Sequence, residues 1–214
     1  MAARIEWYKR YPLAWMLGDR YVEQQVFTTD EHDPTIAAKR FPDKKYIRWM
    51  VEQWLTHKMM LWEKSRQVMA SWTFCALYLW DTQFGTNRLN FIQSKKEEDS
   101  DALLTRCHFI YEHQAPWLKA LFPAVRTYCH LDFYSPGDRE QKLALNRLWP
   151  IPQGGDVLRQ HTASGLFIDE SAFQPDLEAS IRAAQPMLAG GGRVDCVSSA
   201  EPGYFQELTE DRAR

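Results

Sequence analysis

This 214-residue chain lacks the features of membrane-embedded, secreted and zinc-binding proteins. No apolar run approaches the ~20 residues that a membrane-spanning helix needs. The N-terminus, Met1-Ala2-Ala3-Arg4-Ile5-Glu6-Trp7, has no apolar segment of a signal peptide. Its four cysteines are far apart and form no CxxC unit, which argues against a zinc site or a disulfide framework. We therefore expect a protein of the cytosol with no membrane partner.

The sequence also lacks an excess of positive charge. It contains 26 Lys and Arg against 28 Asp and Glu, a formal net charge of −2. A chain that grips nucleic acid by itself is usually clearly basic, so the composition disfavours a standalone DNA-binding protein but leaves a local DNA-contacting patch open. Apolar residues make up 45% of the chain and aromatic residues 14%, which suffices for the core of a soluble globular domain.

Apolar runs typical of buried strands alternate along the chain with segments of helical periodicity. We interpret residues 1–43 as an N-terminal extension of short helices and loops, and residues 44–214 as one α/β domain. The predicted helices cover residues 43–57, 71–84, 96–113 and 176–188. The predicted strands cover residues 58–62, 87–93, 126–134, 142–151, 165–168 and 193–197, with a turn at 135–138. This alternation predicts a mostly parallel central sheet flanked by helices.

One predicted strand ends in two adjacent carboxylates. The apolar run Gly165–Ile168 leads directly into Asp169 and Glu170. Open α/β sheets bind ligands at the carboxyl ends of their strands. An aspartate there can hold Mg²⁺, and a neighbouring glutamate can deprotonate a water molecule for attack on phosphorus. Taken alone, the segment is equally typical of a solvated acidic turn.

The residues between the strand at Met59–Trp62 and the next helix occupy the place of a phosphate-binding loop. Only Ser71 matches the standard pattern GxxxxGK[ST], because Lys64 and Met69 fill the glycine positions and Ala70 fills the lysine position. A lysine has a long flexible stem, so Lys64 can reach across the loop and replace the missing cation, and Arg66 can add a planar donor array. By itself, the segment favours an ordinary strand-to-helix turn.

Five segments in the same order resemble the ATPase domain of the large terminase subunits of tailed bacteriophages. The segment 64–72 resembles a lambda-like variant of their Walker A loop, with a lysine at its start. Segment 166–173 resembles their Walker B motif. The others are 91–99, similar to the next strand and loop, 146–159, similar to the stretch before Walker B, and 197–205, similar to the coupling motif. The resemblance covers residues 40–210 and implies a RecA-like P-loop NTPase fold of the additional-strand, catalytic-glutamate type.

The resemblance implies ATP as substrate, Mg²⁺ as cofactor and a role for each matching residue. Glu170 corresponds to the catalytic glutamate, Lys64 to the phosphate-binding lysine, Arg66 to a γ-phosphate sensor or finger in cis, and Arg159 to an arginine finger acting in trans. Ser71 and Asp169 correspond to the metal site, and Ser198 and Ser199 to the coupling segment. The nucleotide-binding loop would comprise Lys64, Ser65, Arg66, Gln67, Val68, Met69, Ala70, Ser71 and Trp72.

The base of the nucleotide is usually held by residues ahead of the loop in this family. Tyr46, Trp49 and Gln53 are the candidates, although core packing is the simpler explanation for the two aromatic residues. We include Gln53 among the predicted nucleotide contacts.

The resemblance implies a motor that pumps double-stranded DNA into a procapsid. The implied partners are the portal protein, the small terminase subunit and further copies of the chain in a ring on the portal, with a monomer when free. The implied location is the cytoplasm of the bacterial host and, transiently, the procapsid portal. No segment long enough for the family's C-terminal nuclease domain follows, so we expect the ATPase half alone.

Two other functions stay open at this stage. Ala70 and Met69 are consistent with a nucleotide-binding assembly module whose catalysis is weakened. A helicase-like DNA translocase shares the core fold, but it would need a second RecA-like domain.

Overall fold

The computed structural model describes residues 1–29, 37–136 and 144–210. Its helices are α1 (Ala2–Arg10), α2 (Pro12–Leu17), α3 (Lys45–Thr56), α4 (Ala70–Phe84), α5 (Glu97–Glu112), α6 (Pro116–Leu121), α7 (Asp156–Gln160), α8 (Leu177–Ala189) and α9 (Tyr204–Thr209). Its strands are β1 (Phe27–Thr28), β2 (Lys39–Arg40), β3 (Met59–Glu63), β4 (Leu89–Gln93), β5 (Ala124–Arg126), β6 (Leu131–Phe133), β7 (Asn146–Ile151), β8 (Gly165–Asp169) and β9 (Arg193–Ser198). No helix in these described parts is long and apolar enough to span a membrane.

A seven-stranded sheet with the order β3-β9-β8-β4-β7-β6-β5 forms the centre of the molecule. Strands β3, β9, β8, β4 and β7 pair in parallel, whereas β5 and β6 pair antiparallel at one edge. The predicted mostly parallel sheet is therefore confirmed. Strand β8 lies inside the sheet, and all five of its residues are buried, as its continuous apolar run predicts.

Helices cover both faces of the sheet and bury the side chains that the sequence pattern marks as apolar. On α3 the buried residues are Ile47, Met50, Val51 and Trp54, one face of an amphipathic helix. The buried face of α5 includes Leu103, Cys107 and Ile110, as predicted. Helix α4 is buried along most of its length because the sheet, α3 and α5 all pack against it.

The N-terminal residues pack against the α4 side of the sheet. Trp15 and Met16 are fully buried in the same apolar cluster as α4. The Trp80 indole on α4 donates a hydrogen bond of 2.8 Å to the Tyr8 carbonyl oxygen. Residues 1–29 therefore contribute to the core of the domain that follows them.

Two predicted strands differ from the structure. Residues 126–134 were expected to form one strand, but they contribute to the β5–β6 hairpin, whose turn is closed by a 2.9 Å hydrogen bond from the Thr127 N–H to the His130 carbonyl oxygen. The polar residues of this turn interrupt the apolar alternation. The strand expected at 142–151 begins at Asn146. The predicted turn at 135–138 and the start of that strand lie partly outside the described residues.

A buried polar cluster joins β9 to α3 and α4. One carboxylate oxygen of Asp195 accepts hydrogen bonds from the Trp54 indole at 2.9 Å, the Tyr78 hydroxyl at 2.8 Å and the Arg193 guanidinium at 3.2 Å. Arg193 also lies over the Trp54 ring and donates to the Trp54 carbonyl oxygen. Burial raises the pKa of Asp195 to about 6, against the opposing effect of Arg193.

Candidate nucleotide-binding site

The parallel sheet brings three distant segments together at the carboxyl ends of β3, β8 and β9. In the register of the sheet, Val197 on β9 lies between Trp62 on β3 and Asp169 on β8. The backbone N–H of Lys64 donates a 2.9 Å hydrogen bond to the Ser198 carbonyl oxygen, which extends the pairing past the end of β3. The loop after β3, the acidic end of β8 and the serines at the end of β9 therefore face one another.

Lys64 and Glu170 form an ion pair at the centre of this arrangement. The Lys64 ammonium donates to a Glu170 carboxylate oxygen at 2.8 Å, although the residues are 106 positions apart. The Ser198 hydroxyl donates to the other Glu170 oxygen at 3.4 Å. The Lys64 side chain is 11% exposed and that of Glu170 is 37% exposed. The lysine at the start of the loop thus contacts the carboxylate that follows β8, the residue that the sequence predicts as the general base.

The loop adopts left-handed backbone conformations without glycine. Gln67 has φ of 64° and Met69, which precedes α4, has φ of 56°. Met69 occupies a position where the standard phosphate-loop pattern has glycine. Glu170 also lies in the left-handed region, with φ of 48°. Such conformations cost a residue with a side chain about 1–3 kcal/mol each and cluster at functional sites. The loop therefore places Gln67 and Met69 in backbone conformations that usually favour glycine.

Asp169 and Ser71 are the residues that would hold a metal ion in this site. Asp169 is only 5% exposed, and one of its carboxylate oxygens is buried without a hydrogen-bond partner. Burial raises its pKa and Glu170 raises it further, whereas the Ser71 hydroxyl, Lys64 and Arg106 lower it. An unpartnered buried carboxylate oxygen is costly, and a cation that it coordinates removes that cost.

The small number of protein ligands at this site fits an ion such as Mg²⁺, which takes most of its ligands from phosphate and water. Among residues 1–29, 37–136 and 144–210, no group of three or more His, Cys, Asp or Glu side chains converges on one point. Mg²⁺ usually takes one or two protein oxygens and completes its shell with phosphate and water oxygens. One carboxylate and one hydroxyl are the protein share of such a shell.

A cleft of about 770 Å³ opens beside Ser71 and Glu170. This volume is typical of small-ligand sites, which span roughly 300–1,000 Å³. The predicted residues that line it are Lys64, Arg66, Gln67, Val68, Met69, Ala70, Ser71, Trp72, Glu170 and Ser199. The structure thus brings most of the predicted loop and the predicted base into one cavity.

Five predicted residues do not line the cleft: Gln53, Ser65, Arg159, Asp169 and Ser198. Ser65 belongs to the loop, and Asp169 and Ser198 are the last residues of β8 and β9. Gln53 lies with Trp49 and Trp62 in a separate shallow pocket beside β3, because it is about two turns further along α3 than Tyr46. Of the residues considered for the base, only Tyr46 lines the cleft. Arg159, on α7, is 58% exposed, pairs with Asp156 at 2.8 Å and borders a pocket between α7 and α8.

The cleft also contains cations that the sequence analysis missed. Arg106 on α5 lines it, and its guanidinium lies 5.9 Å from the centre of the Trp72 ring. Lys95, which directly follows the buried Ser94 after β4, lines it as well. No local motif marks Arg106, because its place in the cleft depends on how α5 packs against α4.

Comparisons with solved structures identify proteins of the same fold. The ATPase domain of the Thermus phage P74-26 large terminase aligns with a TM-score of 0.61 at 13% identity, covering 78% of this chain and 69% of that one. The large terminase of the thermophilic bacteriophage D6E in complex with ADP aligns with a TM-score of 0.54 at 12% identity, covering 79% of this chain and 44% of that one. The HK97 bacteriophage large terminase aligns with a TM-score of 0.61 at 10% identity, covering 90% of this chain and 38% of that one.

This chain therefore has the fold of large terminase ATPase domains, as the sequence analysis predicts, and it spans less than half of two of these terminase chains. No family model and no curated protein matches the sequence.

Proposed function

We propose that this chain is the ATPase domain of a large terminase subunit, which couples hydrolysis of ATP to translocation of double-stranded DNA into a procapsid. The observation that carries the proposal is the meeting of Lys64, from the loop after β3, with Glu170, from the end of β8, inside a cleft of the terminase ATPase fold. The D6E large terminase of the same fold was solved in complex with ADP, which supports a nucleotide as the ligand.

Ser71 and Asp169 would hold Mg²⁺, which neutralises charge on the phosphate oxygens when bound. Glu170 accepts a proton from a water molecule, and the water oxygen bonds to the γ-phosphorus. The bond from that phosphorus to the β–γ bridging oxygen breaks, and ADP leaves with the electron pair. The Ser198 hydroxyl, which donates to Glu170 at 3.4 Å, helps to hold the carboxylate in position for this proton transfer.

Lys64 has two anionic partners in this mechanism. In the ion pair seen here, the ammonium occupies one carboxylate oxygen of Glu170, so that oxygen is not available to accept a proton from water. A triphosphate presents several anionic oxygens against the single charge of Glu170, so ATP competes for the same ammonium. We infer that ATP binding draws Lys64 onto the phosphates and leaves Glu170 free to accept the proton.

Two arginines complete the proposed charge stabilisation. Arg66 is exposed on the loop and lines the cleft of its own chain, which suits a cis contact with the γ-phosphate. Arg159 faces away from that cleft, which suits a contact in trans with the nucleotide of a neighbouring subunit. The active assembly is then a ring on the portal, whereas the free chain is a monomer.

Coupling to DNA movement is assigned to the end of β9. Ser198 bonds to Glu170 and Ser199 lines the cleft, so both lie where loss of the γ-phosphate changes the local contacts. The proposed partners are double-stranded DNA, the portal protein and the small terminase subunit. The proposed location is the host cytoplasm and, during packaging, the procapsid portal.

Glu170→Gln tests this function. The amide keeps the shape of the side chain but cannot take a proton, so Mg²⁺-dependent ATP turnover should fall by about 10²–10⁴-fold while ATP binding persists. Glu178→Gln, an exposed glutamate of α8 paired with Arg182, is the matched control and should keep the parent rate. Turnover by Glu170→Gln at the parent rate would contradict the mechanism.

A second candidate function is a nucleotide-binding assembly module with weakened catalysis. Ala70 in the lysine position favours it, because the N-terminus of α4 carries no cation of its own. The two functions differ in one result. A parent chain that binds ATP, but does not hydrolyse it even within the assembled packaging motor, is such a module.

A further inference from the structure

Arg106 is a cation of the cleft without an acidic partner. It is half-buried on α5, and its guanidinium lies over the Trp72 ring. Within the described ranges, no carboxylate lies within ion-pair distance of it. Lys64, which lines the same cleft, is in contrast paired with Glu170. A half-buried arginine that lines a cavity and lacks a counter-ion is suited to bind an anionic ligand.

The position of Arg106 places its charge at the phosphate end of the cleft. Trp72, which it contacts, directly follows Ser71 at the start of α4. Ser71 is a proposed metal ligand, and it lines the same cleft as Trp72 and Arg106. Arg106 therefore lies on the side of the cleft that would receive the metal-bound phosphates.

The loop after β3 lacks the standard phosphate-binding lysine, so a cation from another element is needed there. Ala70 fills the place of the standard phosphate-binding lysine and is buried at the start of α4. Lys64 approaches from the β3 side and Arg106 from the α5 side. Both residues line the same cleft as Ala70, so two cations on separate elements are available where the standard loop has a single lysine.

We propose that Arg106 binds the triphosphate of ATP directly and, together with Lys64, replaces the lysine missing at Ala70. The ligand class is a nucleoside triphosphate, so this inference rests on the proposed function and deepens it. The planar guanidinium donates through two edges and can contact two phosphate oxygens at once. Contact with Trp72 restrains the side chain, which reduces the entropy lost when the phosphate binds.

Calorimetric titration of the purified protein with ATP and with inorganic tripolyphosphate tests the proposal. Arg106→Gln should weaken the binding of both ligands by about ten- to hundredfold, the range expected for loss of charge-assisted hydrogen bonds. Arg48→Gln is the matched control, because Arg48 pairs with Asp43 outside the cleft, and it should bind both ligands like the parent. Tripolyphosphate carries no base or sugar, so its loss of affinity reports phosphate contact alone.

Each outcome decides the question. If Arg106→Gln weakens ATP but not tripolyphosphate, the arginine contacts another part of the nucleotide and the proposal is wrong. If both affinities stay within about twofold of the parent, Arg106 is not a ligand residue, while the proposed ATPase function still stands. If the parent binds neither ligand, both proposals fail.

Arg106→Lys covers the case in which the glutamine variant does not fold. It keeps the charge and the apolar stem that packs beside Trp72, but it loses the planar donor array. We expect a parent-like thermal unfolding midpoint and tripolyphosphate binding weakened by about three- to tenfold. Parent-like affinity in this variant would overturn the proposed two-edged contact.

Discussion

Replacing Lys64 with glutamine separates the two roles that the structure gives to this side chain. The gross attraction of the 2.8 Å pair with Glu170 is about 6 kcal/mol at an effective dielectric constant of ~20. Glu170 is more than a third exposed, so screening and desolvation reduce the net contribution to stability to about 1 kcal/mol. The ion pair is therefore weak enough for a triphosphate to displace.

The larger effect of Lys64→Gln should fall on ATP binding. A charge-assisted hydrogen bond to phosphate contributes about 1.5–3 kcal/mol, which corresponds to about ten- to hundredfold in affinity. The loss of about 1 kcal/mol of folding free energy should lower Tm by only about 2–4 °C. Calorimetric ATP titration and a thermal unfolding scan measure the two effects separately.

A control variant and a rescue variant accompany Lys64→Gln. Lys58→Gln removes an exposed lysine at the opposite end of β3 and should bind ATP like the parent. Adding Ala70→Lys to Lys64→Gln places a cation at the N-terminus of α4 and should recover most of the lost affinity. ATP binding by Lys64→Gln within about twofold of the parent would refute the replacement of the missing lysine by Lys64.

Two other predictions concern Asp195 and Arg159. Burial raises the pKa of Asp195 to about 6 from about 3.9 in an unfolded chain, so its contribution to stability is fully present below about pH 4 and declines as the pH rises through about 6. The free energy of unfolding of the parent relative to Asp195→Asn should therefore fall between about pH 4 and pH 7 in urea titrations, and a pH-independent difference would exclude this effect. Arg159→Ala should leave ATP binding by the free chain unchanged but reduce hydrolysis in the assembled motor by about 10³-fold. Mixing it with Glu170→Gln subunits should restore part of the activity, and no recovery would argue against action in trans.

The elements that follow from local pattern were predictable, and the structure confirms them. The apolar spacing of Ile47, Met50, Val51 and Trp54 gives α3 its buried face, and the continuous apolar run ending at Asp169 gives the interior strand β8. These patterns depend on periodicity within a short segment. The β5–β6 hairpin was missed because its turn lies inside an otherwise strand-like run, and only the pairing partner reveals where the chain reverses.

The residues of the cleft also divide into those that local pattern predicts and those whose position depends on tertiary packing. The loop residues and Glu170 were found because strand ends of a parallel sheet converge, so a strand prediction also predicts a location. Gln53 was expected to contact the nucleotide from the preceding helix, but it lies about two turns beyond Tyr46 on the same face of α3 and lines another pocket. Which turn of a helix borders a cleft depends on how the helix is placed against the sheet, and the periodicity of the segment does not specify that placement.

The sequence by itself determined the parallel sheet, the position of Asp169 and Glu170 at a strand end, and the absence of the usual lysine at Ala70. These are properties of periodicity and residue type, which a segment carries wherever it packs. Only the tertiary structure decided that Lys64 meets Glu170 across 106 positions and that Arg106 reaches the same cleft from α5. Both contacts depend on strand register and helix packing, because the compensating charges lie on elements that only the folded chain brings together.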